Sequence, residues 1–227
     1  MFFIFMLTRR DRTVDNALEL VDEAAALGIG YIGFKDVGAS DKTLAMLSRR
    51  IQAAGAKSVM EMVDATPGAS AASARLAADI GVDCLLGGHD ADALLPLLEN
   101  TGIDYFPSAG RPAGRPATLD ATPEEIAADC RRAVALGCAG VNLLAYRSRR
   151  ARPLALIEAA RAALGNSGRL IVAGSISDAD TVRELRAAGV DGFTIGTAVV
   201  DGRFDADGRS LTDQLEAVLA ASRNPLA

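Results

Sequence analysis

Short apolar runs recur along this chain, and the longer segments between them carry apolar residues at every third or fourth position. The runs are Met1–Leu7, Tyr31–Lys35, Ser58–Val63, Val82–Leu86, Ile103–Phe106, Gly140–Leu144, Leu170–Ala173 and Gly192–Ile195. Each has strand length and none alternates cleanly, as expected of strands buried on both faces of a parallel sheet. After the first run, Thr13-Val14-Asp15 opens a helix whose Ala17, Leu20, Val21, Ala24 and Leu27 share one face, and Gly28 and Gly30 end it. Further helices are expected over Asp41–Ala54, from Asp64-Ala65-Thr66-Pro67 onward, and over Leu211–Ala221. Eight strands alternating with eight helices, in units of about 25–30 residues, predict an α/β fold, a single closed parallel (β/α)8 or TIM barrel spanning 1–227. The rival is an open, doubly wound sheet with its ligand at a strand-order switch. Even spacing and a doubled glycine turn near the end favour closure. No linker or low-complexity segment interrupts the series, so one domain is expected.

That doubled turn organises the rest. Leu170–Ala173 ends in Gly174-Ser175, an amphipathic helix follows, and Gly192–Ile195 ends in Gly196-Thr197-Ala198. Glycine lets a backbone approach a ligand closely, and N–H groups left unpaired before a helix suit a phosphate. In a β/α barrel the loops after the last two strands are the usual phosphate site. Gly174, Ser175, Gly196 and Thr197 are therefore the expected phosphate-binding residues. The alternative is that these glycines only let helices lie close to the sheet.

The pair IVAGSIS (Ile171–Ser177) and FTIGTAV (Phe193–Val199) resembles the phosphate-gripping end of the ribulose-phosphate-binding barrels. The resemblance covers about the last quarter of the chain and implies a phosphorylated ligand without specifying a reaction. The terminal AGSIS also resembles the glycerol-phosphate-responsive antiterminator barrels, which would make the protein a non-catalytic sensor. The Asp-x-Lys-x-x-Asp run of the orotidine- and ketogulonate-phosphate decarboxylases is absent. The paired aspartates of the histidine-pathway isomerases are replaced by Thr8-Arg9 and Pro107-Ser108.

Catalytic groups in such a barrel come from the C-terminal ends of strands. Lys35 ends a buried strand, and Glu61 lies within the next among apolar neighbours. If both point inward, strands about 4.8 Å apart bring them together. Three readings stay open: a structural ion pair, a Schiff-base lysine with its pKa lowered by burial, or a charged acid or carbonyl donor. Lysine at that position, with the AGSI terminus, also resembles the furan-phosphate synthase barrels, whose chemistry uses it. His89, the chain's one histidine, follows the fourth strand and suits acid/base work beside Asp90 or Asp64, or else a cap or solvated position. Arg9, Asn142 and Arg147 are secondary ligand candidates. Arg147 belongs to a cluster with Arg149, Arg150 and Arg152 that reads first as a solvated loop and otherwise as a second anion anchor. Residues 108–121, with GRP twice, form a long loop after the fifth strand that reads either as a lid carrying two arginines or as a plain surface excursion.

Charge and composition narrow the field. A formal net charge of −5 offers no basic excess for nucleic acid. One histidine excludes the two-histidine metal site of pentulose-phosphate epimerases, no carboxylate spacing suggests a metal, and no cofactor is expected. Three cysteines without CxxC spacing suit reduced thiols and a cytoplasmic location. Met1–Leu7 lacks a basic start and reads as a first strand rather than a signal peptide. No apolar run reaches membrane-spanning length. The sequence leaves self-association open. The expected protein is an enzyme acting on a small phosphorylated, sugar-phosphate-like carbonyl compound as an aldolase-type lyase or an isomerase.

Overall fold

A computed structural model describes residues 1–208 and 210–223. Its eight parallel strands are β1 (Phe2–Met6), β2 (Tyr31–Lys35), β3 (Lys57–Glu61), β4 (Cys84–Leu86), β5 (Asp104–Phe106), β6 (Gly140–Leu143), β7 (Arg169–Val172) and β8 (Gly192–Ile195). They are hydrogen-bonded in the order β5-β4-β3-β2-β1-β8-β7-β6. β5 meets β6 to complete the circle, with Ala139 N donating to Tyr105 O at 3.0 Å and Asn142 N to Pro107 O at 2.9 Å. The barrel is thus the predicted one. Helices cover the outside: α1 (Ala17–Ala26), α2 (Asp41–Ala53), α3 (Pro67–Ile80), α4 (Ala91–Leu94), α5 (Pro123–Ala135), α6 (Pro153–Leu164), α7 (Ala179–Ala187), the short α8 (Thr197–Val200) and α9 (Leu211–Arg223). No helix among the described residues is long and apolar enough to cross a membrane.

Period-two alternation separates two cores. Phe3, Phe5, Ile32, Phe34, Val141, Leu143 and Phe193 pack with the helices. Ile4, Met6, Val59, Cys84, Leu86, Phe106 and Ile171 fill the barrel interior. Gly33 of β2 gives the Met6 side chain room, since a Cβ there would lie 2.4 Å from its sulfur. Continuing the inward series one step up each strand gives Lys35 after Gly33, Glu61 after Val59, Ser108 after Phe106 and Asn142 after Gly140. The apolar plug therefore ends under a ring of polar side chains at the C-terminal mouth.

The first connection departs from expectation. Thr8–Arg9 and Arg12–Thr13 form a small antiparallel hairpin, and α1 starts only at Ala17. Its two turn residues, Arg10 and Asp11, both have positive φ (51° and 60°), the geometry of a type I′ turn. Such turns usually carry Asn-Gly, so Arg-Asp gave no signal. Thr13 anchors the hairpin to β2: its hydroxyl donates to Lys35 O at 2.8 Å and accepts from Lys35 N at 2.9 Å.

Candidate functional site

A cavity of about 690 Å³ opens at the C-terminal ends of the strands. Six cationic side chains line it, Arg10, Arg12, Lys35, Arg115, Arg147 and Arg203, against two carboxylates, Asp11 and Glu61. In a chain of net negative charge, that excess concentrates positive potential at the mouth and suits an anionic ligand.

Lys35 is the centre of one wall. Its neighbour in register is Glu61, and its Nζ lies 3.3 Å from Glu61 Oε2 and 2.8 Å from Asp11 Oδ1. Arg147 reaches across the mouth and binds Asp11 with both terminal nitrogens, each at 3.1 Å. Burial pushes the Lys35 pKa down, but Glu61 and Asp11 outweigh it and the net direction is up. Asp11 moves the other way: burial raises it, yet hydrogen bonds and attraction from Arg147 and Lys35 bring it to about 2. At neutral pH this wall therefore holds an ammonium, a guanidinium and carboxylates in one alternating network.

The predicted phosphate turns face the same cavity. Gly174, Ser175, Gly196 and Thr197 all line it. Gly174 has φ 80°, and a Cβ there would meet Arg147 Nε at 2.7 Å, so the absence of a side chain lets Arg147 lie across the turn. Ser175 follows at φ 60°, a conformation costly for a non-glycine residue. Both residues line the cavity, so the backbone of this turn borders the space a ligand would take. A Cβ on Gly196 would stand 2.4 Å from Thr8 Oγ1 and 2.9 Å from Met6 O, so glycine there is demanded by packing as well. Arg10 N donates to Thr197 Oγ1 at 3.2 Å, tying the hairpin to this end of the site.

His89, Ser108 and Asn142 form the opposite wall, from the ends of β4, β5 and β6. Burial, then repulsion from Arg111, lowers the His89 pKa and favours the neutral ring. Neither expected carboxylate partner serves it. Asp90 caps α4 by accepting from Ala93 N at 3.3 Å, and Asp64 accepts from Thr66 N at 2.9 Å and pairs with Arg115 at 3.1 Å.

Several candidates lie elsewhere. Arg9 does not line the cavity; it pairs with Asp201 at 2.6 Å because the hairpin turns it outward. Of the arginine cluster only Arg147 enters. Arg150 lies 3.7 Å from exposed Glu125, and Arg152 is the N-cap of α6. Asp11, Arg10, Arg12 and Arg203 were missed by sequence reasoning. For Asp11, the only available sign was its place just after the first strand.

The 108–121 loop is more firmly held than a free lid. Leu119 is buried, receives Arg149 N at 2.9 Å and donates to Arg147 O at 2.9 Å, and Ala113 and Thr118 exchange backbone bonds of 2.9 and 2.8 Å. Gly110 N donates to Asp129 at 2.8 Å. Apart from Ser108 at its start, only its tip, Pro112 and 114–117, borders the cavity.

No protein-family model and no curated sequence matches this chain. Solved structures do. Orotidine 5'-phosphate decarboxylase from Pyrococcus horikoshii OT3 is similar with a TM-score of 0.72 at 12% identity, covering 99% of this chain and 100% of that one. N-(5'-phosphoribosyl)anthranilate isomerase from Pyrococcus furiosus gives 0.65 at 13% identity, with 99% and 100% covered. At these identities the likeness is one of fold: the chain shares the (β/α)8 barrel architecture of both structures.

Proposed function

We propose that this protein is an enzyme acting on a small phosphorylated carbonyl compound through an enolate, by aldolase-type carbon–carbon cleavage or by isomerisation. The observation that carries this reading is one cavity bordered on one side by the Gly174-Ser175 and Gly196-Thr197 turns and on another by Lys35 between Asp11 and Glu61. Backbone N–H groups of the two turns would hold the phosphate and fix the carbonyl over Lys35. The Lys35 ammonium would stabilise the oxyanion that develops when a C–H or C–C bond breaks. Glu61 is the freer base for the departing proton, since Asp11 is held by Arg147 as well as by Lys35. Neutral His89 can pass a proton at the far side of the substrate. Both reactions share the enolate, and they differ in which bond lies parallel to the carbonyl π-system. A Schiff base is less well supported, because an attacking amine must first lose a proton that two carboxylates hold.

Both structural neighbours are named for phosphorylated substrates, one a decarboxylase and one an isomerase, which supports a phosphate ester here. The test is a screen of phosphorylated aldoses and ketoses for turnover, run beside Lys35→Met and Glu61→Gln. The enzyme reading expects at least one substrate whose kcat falls by about 100-fold or more in Lys35→Met, with binding retained. Binding without turnover by the native protein would mark a sensor instead.

A further inference from the structure

Two buried polar atoms in the molecule have no hydrogen-bond partner among the described residues, His89 Nδ1 and Asn142 Oδ1. Buried polar groups are nearly always paired, because an unmade bond costs the group its hydration with no return. Both orphans belong to residues lining the same cavity, and both lie on the same wall of it. Asn142 is 1% exposed, and its backbone is fully engaged: its N donates to Pro107 O and its O accepts from Ala109 N. The side chain is therefore not there to satisfy the sheet. Ser108 stands between the two, bridged in parallel to Asn142 and donating its N to Gly88 O at 2.8 Å. Three adjacent strand ends thus present an amide, a hydroxyl and an imidazole, across the mouth from Lys35, Glu61 and Asp11.

The chemistry of this wall points to an uncharged group that both donates and accepts. A hydroxyl does so: it can donate to Asn142 Oδ1 and exchange a bond with His89 or Ser108. For a flat aromatic or nucleobase group the cavity offers no Phe, Tyr or Trp face among the described residues, only the small His89 imidazole. The volume agrees, being about twenty water-sized volumes at ~30 Å³ each, more than a three-carbon phosphate fills. Resting on the phosphate reading above, we propose that Asn142, with Ser108 and His89, is a specificity subsite that reads a hydroxyl on the substrate arm remote from the phosphate. The substrate class is then a saturated polyhydroxylated phosphate of five or more carbons rather than a triose or aryl phosphate.

Replacing an unpaired buried amide by an apolar side chain of similar shape removes an unsatisfied group, so Asn142→Leu is expected to keep or raise the melting temperature of the free protein. The same change should cost ligand affinity. Calorimetric titration of the whole protein compares inorganic phosphate, dihydroxyacetone phosphate, ribulose 5-phosphate, xylulose 5-phosphate and ribitol 5-phosphate. At least one five-carbon compound should bind the native protein about tenfold more tightly than dihydroxyacetone phosphate. Asn142→Leu should erase that preference while leaving the affinity for inorganic phosphate within about twofold. Asn142→Ala, which only shortens the side chain, gives the same reading should Asn142→Leu fold poorly. Phosphate binding with no preference for any five-carbon compound, or a preference that survives both variants, overturns the subsite alone. Failure of inorganic phosphate and every ester to bind overturns the phosphate reading beneath it.

Discussion

Lys35 has its proton fixed by its surroundings, and this decides which chemistry it can do. Borohydride added with phosphorylated aldehydes and ketones should leave Lys35 unmodified in peptide mass mapping; a stable adduct would restore the Schiff-base route. The folded pKa of Lys35 lies above its ordinary 10.5, so its contribution to stability is complete below that value and is lost as pH rises through the folded one. Asp11 falls from 3.8 to about 2, so its contribution is present above 3.8 and fades as pH drops towards 2. Melting temperature against pH should therefore be flat only between about pH 7 and pH 9, and fall below 6.5 where the lowered His89 pKa costs stability. It should fall further below about pH 4, where Asp11→Asn should shallow the acid limb. An unchanged limb would mean that Asp11 is not held by Lys35 and Arg147. Lys35→Met leaves two carboxylates facing each other and should cost about 2–4 kcal/mol in chemical denaturation, part of it recovered by adding Glu61→Gln.

Ser175 offers a second residue-scale test. It occupies left-handed backbone that glycine adopts without strain, so Ser175→Gly should stabilise the free protein by up to about 1 kcal/mol. If the serine is kept for the ligand, the same variant should bind inorganic phosphate several-fold more weakly. Equal affinity would reduce the residue to part of a turn. Lys35 and Glu61 were legible in the sequence because a charge on a buried strand has few places to go. Asp11 was not, because a type I′ turn without glycine carries no recognisable signature. Arg9, one position from the pocket-lining Arg10, shows how a single hairpin reverses a side chain's direction.

At the scale of elements, strand positions followed from apolar runs, and β2 and β8 match their expected limits residue for residue. The lid reading of the long loop rested on its length and glycines, which could not reveal the tethers at Gly110 and Leu119. Hydrogen exchange should follow those bonds. Amides of Ala113, Thr118, Leu119 and Arg149 should be protected without ligand, and a change on adding phosphate ester should be confined to the tip at 114–117. The exposed Arg115–Asp64 pair is the one side-chain latch seen between this tip and the β3 side of the mouth. Uniformly fast exchange over 108–121 would show the whole loop to be mobile and return it to a full lid.

Across the whole molecule, the barrel gathers residues distant in sequence into a ring in which position around the mouth sets chemistry. β7 and β8 bring the two glycine turns, β1 to β3 bring Asp11, Lys35 and Glu61, and β4 to β6 bring His89, Ser108 and Asn142 together with Arg147, which reaches over to Asp11. The fold was legible because eight similar units leave few alternatives. The partition of the mouth was not, because it depends on which side chains of neighbouring strands meet. The central claim is that an anion binds at the two glycine turns, in reach of Lys35. Titration of inorganic phosphate into the ¹⁵N-labelled protein, following backbone amide shifts, tests it most directly. Saturable shifts centred on Gly174, Ser175, Gly196 and Thr197, with the barrel's opposite end at Gly165–Gly168 unmoved, are the predicted result. Shifts that never saturate, or that centre away from these turns, would contradict the account.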